Sequence, residues 1–568
     1  MEYQGRLIAQ ELYKGGYYHS PVSISVNNKI ATLYLTEQGR VAFKIGVDVL
    51  FFDEDIDVKE QGHGRRPSLY QEGSHLYAIW WAKTRPKGDK HLYFKASYDG
   101  GETFQPTRII NSENGVLNYS FTSDSKGRLA FVYNDERNGP YQIYINISND
   151  HGKTWLDKDV RQDSIPESVG ERKARIHDGF AMEPKVAMNG QAIVVTWKER
   201  KAKKGKKAAY YLKSRASDDG GKTWGKEIVI RKSSRIFTSN NLLLHNDNFY
   251  IIGHENYTGI TGYKSNDNGR TWEALRALQR SEETVNSQLK VISKGEYLYV
   301  VYTAQKPRIK YKIFFAAFSV LEGKWNGPVR LDRKRYDLTK SMNPDIALLK
   351  DGTIVTIWQD YRNIRTNIYI NFSSDNGKTW EDLPVSIEES GRYLSVDPKL
   401  YVEGDNLFVF FQRYRDDTKD KLDYLYRKIK DIKKAGMDYS KDITEAEREE
   451  KLRERVNTFW TLRKNGQYAD TYKYHDPVYK VKISKDNFVR YQGNVIYHRF
   501  KMIDLDIKEN FANVKIELNF EVRETEIMGR KFSMPPRDST LTEEWVWIYD
   551  NWYKVYKKTI GGKSYLKY

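Results

Sequence analysis

Along the first 430 residues, short apolar stretches separated by polar turns recur in a fixed order. Each unit opens on a stretch that passes from polar to apolar. A strongly apolar stretch follows, ending in aromatic and then charged residues, as in Trp80-Trp81, in Trp197 with Glu199 and Arg200, and in Trp358 with Asp360 and Arg362. A third stretch runs into a turn, and a fourth leaves it. Stretches this short, with residues alternating between two faces, predict strands. Four strands in a unit of about fifty residues predict a repeat of small antiparallel sheets, an all-β ring. Seven openings are visible: Arg66-Pro67-Ser68, Asn118-Tyr119-Ser120, Glu183-Pro184-Lys185, Ser239-Asn240-Asn241, Asn286-Ser287-Gln288, Asn343-Pro344-Asp345 and Asp397-Pro398-Lys399. The seventh unit, running to Ile429, shows only three strands. An unpaired sheet edge is a liability, so a strand from elsewhere should complete it. The segment Val22–Phe52 alternates like strands and is expected to supply that strand. The pattern therefore predicts a mainly β, seven-bladed propeller closed by its N-terminal segment, with six blades as the alternative.

The turn after the third strand carries its own signature, Ser-x-Asp-x-Gly-x-Thr-aromatic, five times. The central aspartates Asp99, Asp150, Asp219, Asp267 and Asp375 stand 51, 69, 48 and 108 residues apart. The last gap spans two units, and a worn copy without the aspartate, Ser319, Gly323 and Trp325, lies inside it. Glycine admits the positive φ of a tight turn. The carboxylate accepts turn N–H groups, the hydroxyls close further local bonds, and the aromatic ring buries itself between sheets. One carboxylate per copy is too few for a calcium cage, so no metal is expected at these turns, and no cofactor. These residues resemble the Asp-box of the sialidase (BNR-repeat) superfamily. The resemblance implies a β-propeller, with six blades in the sialidase catalytic domains themselves.

Strand order fixes which ends can hold a ligand. The motif turns fall on the face opposite the openings, so a site at the channel mouth is built from first-strand starts and second-strand ends. These supply Arg66, Trp81, Glu183, Arg200, Asn343, Trp358 and Asp397, a polar and aromatic set suited to a glycan or another polar ligand. The recurring pairs Asp135/Arg137, Glu199/Arg200 and Asp360/Arg362 are read first as braces between adjacent blades. The family resemblance implies a further set: an arginine triad on the substrate carboxylate, a Tyr nucleophile with a Glu partner, and an Asp acid/base. By position Arg65 matches the first arginine, Asp89 the acid, Tyr393 the nucleophile and Glu183 its partner. Gly64 and Arg66 depart from the family's aromatic-Arg-Ile-Pro pattern, and two arginines of the triad have no assigned counterpart.

Composition adds bounds. With no cysteine, disulfides are excluded. Abundant charged residues with few methionines match a thermophilic composition. The net charge is +18, but lysine and arginine are scattered, and the run Lys201–Lys207 reads as a solvated loop; no nucleic-acid partner is expected. No apolar run is long enough to span a membrane. The N-terminal stretch MEYQGRLIAQELYKGGYY lacks a hydrophobic core of signal type. Asp-box propellers are often exported, so the compartment stays open between the cytoplasm and, with a leader removed, export to a periplasm or beyond.

After residue 430 the character changes. Residues 431–443 read as a charged linker. Thr444 and Glu447 form a capping box, and Leu452, Val456, Phe459, Trp460 and Leu462 mark the apolar face of a helix that Asn465-Gly466 ends. Long alternating strands follow, with a hairpin about Asp550-Asn551. Residues 444–568 are expected to form an α+β curved-sheet domain that resembles the cystatin-like cone of the nuclear transport factor two superfamily. That resemblance implies a pocket, for which Tyr472, Asp476 and His498 are candidates, or a dimer contact. The sequence as a whole points to a noncatalytic, sialidase-like propeller over residues 1–430 that recognises a glycan, another polar ligand or a protein. An exo-acting glycoside hydrolase, an exo-α-sialidase, is the alternative.

Overall fold

The computed structural model describes residues 10–555 apart from short stretches, the longer of which are 16–20, 55–64, 84–89, 167–179, 202–206, 279–283, 306–309, 333–338, 387–393, 415–421 and 430–443. Up to Ile429 the described residues fold into eight four-stranded antiparallel sheets, one more than the pattern predicts. Opening strands of neighbouring sheets touch one another all the way round, from Val22–Val26 against Arg65–Glu72 to Leu394–Glu403 against Val22–Val26. The opening strands are therefore the hub of a closed ring, a β-propeller. Between successive blades lie apolar cores, such as Phe43 and Phe52 of blade 1 with Trp80 of blade 2, and Ile30 of blade 1 with Phe408 and Phe410 of blade 8. The fully buried Trp80, Trp197 and Trp358 occupy one equivalent place in blades 2, 4 and 7.

The blade count corrects the expectation of seven, and of six. Val22–Phe52 does not lend one strand. It builds a complete sheet of its own, from Val22–Val26 to Asp48–Phe51. Its third strand turns back at Gly46 (φ 59°) without the Ser-x-Asp motif, so nothing in the sequence flags it as a unit. Blade 8 is closed instead by Gln10–Gly15, which pairs antiparallel with Leu422–Ile429, Gln10 opposite Tyr426 and Gly15 opposite Leu422.

All five motifs lie between the third and fourth strands of their blades. In the first, Ser97 Oγ donates to Asp99 Oδ1 at 2.7 Å, and the Thr103 amide donates to the same oxygen at 2.9 Å. Ser97 Oγ also accepts the Gly101 amide at 2.8 Å, and the other four copies repeat the arrangement. The motif glycine faces the preceding blade. A methyl group at Gly377 (φ 81°) would lie 2.0 Å from Cε1 of Phe315, and one at Gly152 would lie 2.5 Å from Cε1 of Phe94. Each turn is thus a staple between blades. The worn copy keeps the Gly323 turn (φ 63°) and its indole, with Trp325 Nε1 donating to the Arg276 carbonyl at 2.8 Å.

Beyond the ring, a helix over Glu445–Lys464 starts at a reciprocal Thr444/Glu447 capping box and ends at Asn465. It packs Leu452, Val456, Phe459 and Trp460 on a four-stranded antiparallel sheet formed by Val495–Lys508, Phe511–Ile527, Arg530–Ile548 and Asn551–Lys554. Inside this second core the Glu543 carboxylate is fully engaged, pairing with Lys554 and accepting the indole N–H groups of Trp460 and Trp545 at 3.3 and 3.1 Å. The Asn510 amide donates to the Arg362 carbonyl, which joins this sheet to blade 7 at the end of its second strand. No helix among the described residues is long and apolar enough to cross a membrane.

Candidate functional site

Six of the eight hub strands share a defect that those of blades 1 and 3 lack. Pairing with the second strand slips by a residue or more between Arg65 and Ser68, Met182 and Lys185, Phe237 and Ser239, Val285 and Leu289, Met342 and Asp345, and Val396 and Lys399. Such bulges re-aim side chains, and they are common beside functional sites. In blades 4, 7 and 8 the bulged residue precedes proline and adopts a left-handed backbone: Glu183 (φ 51°), Asn343 (φ 52°) and Asp397 (φ 51°). That conformation is unfavourable for residues with a β-carbon, and it persists only where the surroundings enforce it.

At blades 6 to 8 the enforcement is visible as a chain of polar contacts. Thr303 Oγ1 donates to Gln288 Oε1 at 3.0 Å, which also accepts the Asn343 amide at 2.9 Å. Asn343 Nδ2 donates to Asp397 Oδ1 at 2.7 Å and to Gln359 Oε1 at 2.9 Å. Burial raises Asp397 above the usual carboxylate range, against the opposing pull of Lys399 and the Asn343 bond. On blade 4, Glu183 pairs with the buried Lys198 at 2.6 Å.

Two residues beyond each of these bulges the hub strand presents its next side chain: Lys185, Asp345 and Lys399, with Lys290 at the matching place of blade 6. The match follows from register. Each pairs with the residue before the second-strand aromatic, Thr196, Ile357, Phe410 and Val301 respectively. Three lysines therefore project into one channel from alternate blades 4, 6 and 8. Burial lowers Lys185 and Lys399 below the ordinary lysine range, and Lys290 pushes both in the same direction, across the ring. Lys290 and Lys399 are nonetheless solvent-exposed, because the channel that surrounds them with protein is open to water. Asp345 and Asp397 partly compensate Lys399, and Glu183 compensates Lys185.

The expected residues fare differently. Glu183, Asn343 and Asp397 sit at the bulges on the hub strands. Arg65 and Arg66 begin the hub strand of blade 2, with Arg65 opposite Trp81, and their side chains fall outside the described residues. Asp89 and Tyr393 also fall outside them. Arg200 lies at the end of its second strand, its guanidinium 5.8 Å from the Phe180 ring centroid. Trp81 and Trp358 need correction as ligand-facing residues. Both are buried in the cores between blades, and Trp358 Nε1 donates to Asp360 Oδ2 at 3.1 Å. Their aromatic area is consumed in packing the ring. The charged pairs act as braces, within a blade and across to its neighbour: Arg137 Nη1 also donates to Ser112 Oγ at 3.1 Å, in the segment that leaves blade 2. Arg137 binds Asp135 and Asp159 of blade 3, Arg362 binds Asp360 of blade 7, and Glu199 pairs with Lys213 and Lys201 of blade 4. In the C-terminal unit, Tyr472 donates to the Ile483 carbonyl at 2.7 Å, Asp476 accepts the Tyr479 amide at 2.8 Å, and the exposed His498 faces Glu521 at 3.5 Å. Those three candidates serve separate local contacts.

The channel lysines are the residues that sequence reasoning passed over. Their one signal was the recurrence of Glu183-Pro184-Lys185 and Asp397-Pro398-Lys399, where the lysine reads as an ordinary polar strand position until the ring closes.

No family model matches the chain, and no curated protein matches it either. Among solved structures the chain is similar to one from a study of two prolyl endopeptidases and the role of inter-domain dynamics in catalysis and specificity (12% identity, TM-score 0.39, 70% of this chain), of which it spans about half the length, 54%. It is similar to the NanB sialidase of Streptococcus pneumoniae (9% identity, TM-score 0.34, 75% of this chain and 93% of that one). It is also similar to an α-L-arabinanase of Penicillium chrysogenum (13% identity, TM-score 0.33, 55% of this chain and 92% of that one).

Proposed function

We propose that the propeller is a noncatalytic binding module whose channel mouth takes an anionic saccharide. The observation that carries this reading is the convergence of Lys185, Lys290 and Lys399 from alternate blades on one channel. Burial disfavours the charged form of Lys185 and Lys399, and an entering carboxylate or sulfate relieves that cost. Around them Glu183, Gln288, Asn343 and Asp397 offer fixed acceptors and donors for sugar hydroxyls. Three lysines make point-charge contacts without the bidentate fork of arginine, which suits a site that holds several anionic groups along a chain. Of the eight hub strands, only that of blade 2 contains arginine, so the three-arginine clamp of a sialidase has no support from the other seven. Arg137 and Arg362 are held by aspartates of their own blades. The α+β unit, held to blade 7 through Asn510, is assigned an accessory role in contacts with a partner.

Calorimetric titration with sulfated, uronic and sialylated oligosaccharides, and with neutral ones of equal length, tests the proposal. Binding should favour the anionic set and weaken about tenfold or more in Lys290→Ala, since a charge-assisted contact contributes roughly 1.5–3 kcal/mol. Equal binding of neutral sugars, unchanged in Lys290→Ala, contradicts it. Arg65 is the position that favours the exo-sialidase alternative. Turnover of a fluorogenic sialoside that disappears in Arg65→Lys would establish that enzyme instead.

A further inference from the structure

On the face opposite the channel mouth, at the junction of blades 2 and 3, three side chains with metal-binding chemistry converge. Glu72 ends the hub strand of blade 2, and His75 begins the next strand after a tight turn. His151 sits in the motif turn of blade 3. One donor atom from each lies within 4.8 Å of the other two, and Glu72 Oε2 is 3.9 Å from His151 Nδ1. The imidazole rings meet edge-on, 4.4 Å between centroids at 70°.

The three side chains also converge on one hydroxyl. The fully buried Tyr77 places its hydroxyl 3.1 Å from His151 Nδ1, 3.2 Å from Glu72 Oε2 and 3.5 Å from His75 Nδ1, the apex of a tripod. Ser123 Oγ donates to Glu72 Oε1 at 2.5 Å, which leaves Oε2 turned toward the histidines. Tyr98 donates to the His151 carbonyl at 3.1 Å and fixes the turn. Gly127 leaves room for the His151 ring, since a methyl group there would lie 2.7 Å from Nε2. The place of His151 in the motif is telling. It has φ 60°, and the other four copies put Gly100, Gly220, Asn268 and Asn376 there, all left-handed too. Only this copy carries a ring nitrogen, and it stands where a second histidine and a carboxylate already meet.

We propose that Glu72, His75 and His151 bind a divalent transition-metal ion of the zinc class. Two imidazoles and one carboxylate suit zinc, cobalt, nickel or copper better than calcium or magnesium, which prefer all-oxygen shells. Bonds of about 2.0–2.1 Å bring tetrahedral donors to roughly 3.4 Å from one another. The half-buried Glu72 and His75, flanking a surface turn, therefore move inward by an ångström or so on binding. Three protein donors leave a coordination position for water or a ligand. Glu72, His75 and His151 themselves line a cavity of about 700 Å³, together with Tyr70, Phe121 and Ser125. Lys153, in the same turn as His151, is a cation close enough to act on His75.

The test is titration of the full chain with Co²⁺, read by its visible absorption, and with Zn²⁺ by calorimetry. One ion per chain should bind at micromolar concentration or tighter and raise the melting temperature. His151→Asn should fold normally, because Asn268 and Asn376 already occupy that conformation. It should lose about 100-fold or more in affinity and lose the metal-induced rise in melting temperature, while Ser123→Ala should lose about tenfold. His498→Asn, remote from the site, should change neither. No binding by the wild type at hundred-micromolar metal, or binding that survives both His151→Asn and His75→Gln, overturns the proposal and leaves the three residues as a packing contact around Tyr77.

Discussion

The motif aspartates show how much one side chain can carry. Side-chain and backbone donors from Thr103 hold Asp99 down at about 2, and those of Thr223 do the same for Asp219. Asp375 also reaches about 2, against burial that pushes it up. A carboxylate whose folded pKa is depressed stabilises fully above its unfolded value, near 3.8, and loses that contribution as pH falls through the folded value. The melting temperature should therefore drop between about pH 4 and pH 2, and Asp99→Asn should drop less steeply across that window. A variant as acid-sensitive as the wild type would show that other carboxylates govern acid unfolding. Asp150→Ala leaves the Thr154 amide without its acceptor and should cost about 1 kcal/mol in denaturant unfolding, with ligand binding at the opposite face unchanged. Lys399 shifts in the same direction for a different reason, because burial disfavours its charged form. Lys399 is lowered from 10.5, so between its folded value and 10.5 the unfolded chain binds more protons and stability rises with pH. A bound anion restores the proton. Anion affinity should thus fall as pH rises through that range, and the binding enthalpy there should vary with the buffer's heat of ionisation.

At the scale of elements, the helix and the motif turns were legible because their signals are local. Thr444, Glu447 and Asn465 act within one turn of chain, and the helix runs where they place it. Thr444→Ala should destabilise the C-terminal unit by about 1 kcal/mol, measured as earlier loss of helical signal on heating. The motif turns likewise state their place in the strand order, and the strained bulges at Glu183, Asn343 and Asp397 could be located from the proline that follows each. Blade 1 escaped notice because its strands turn without motif or proline, and Gln10–Gly15 is too short for alternation to declare it. The lysine site escaped for a different reason. Residues 185, 290 and 399 are more than a hundred positions apart, and only ring geometry makes them neighbours. The closing strand invites a direct test. Removing residues 1–15 should leave Leu422–Ile429 as a bare edge and lower the melting temperature of the whole propeller cooperatively. Melting at the wild-type temperature would mean that blade 8 does not need its fourth strand.

As a whole molecule, the protein is a ring whose every interblade core depends on both neighbours, so no blade has a complete core alone. The two faces carry separate chemistry: an open, lysine-lined mouth on one side, and motif turns with the Glu72, His75 and His151 cluster on the other. Substitutions on one face should leave binding on the other intact, since distant sites without shared partners act additively. The clasp between Gln10–Gly15 and Leu422–Ile429 has a consequence for birth rather than for stability. Ribosomes make the chain from the N-terminus at about 5–20 residues per second, so the strand that closes the circle emerges roughly 20–80 s before its partner. Throughout that interval the earliest strand has no mate on its own chain. Sister chains on the same messenger carry the identical strand and, further along, the identical vacancy. Spacing between translating ribosomes thus bears on whether each circle is shut by its own beginning or by another's.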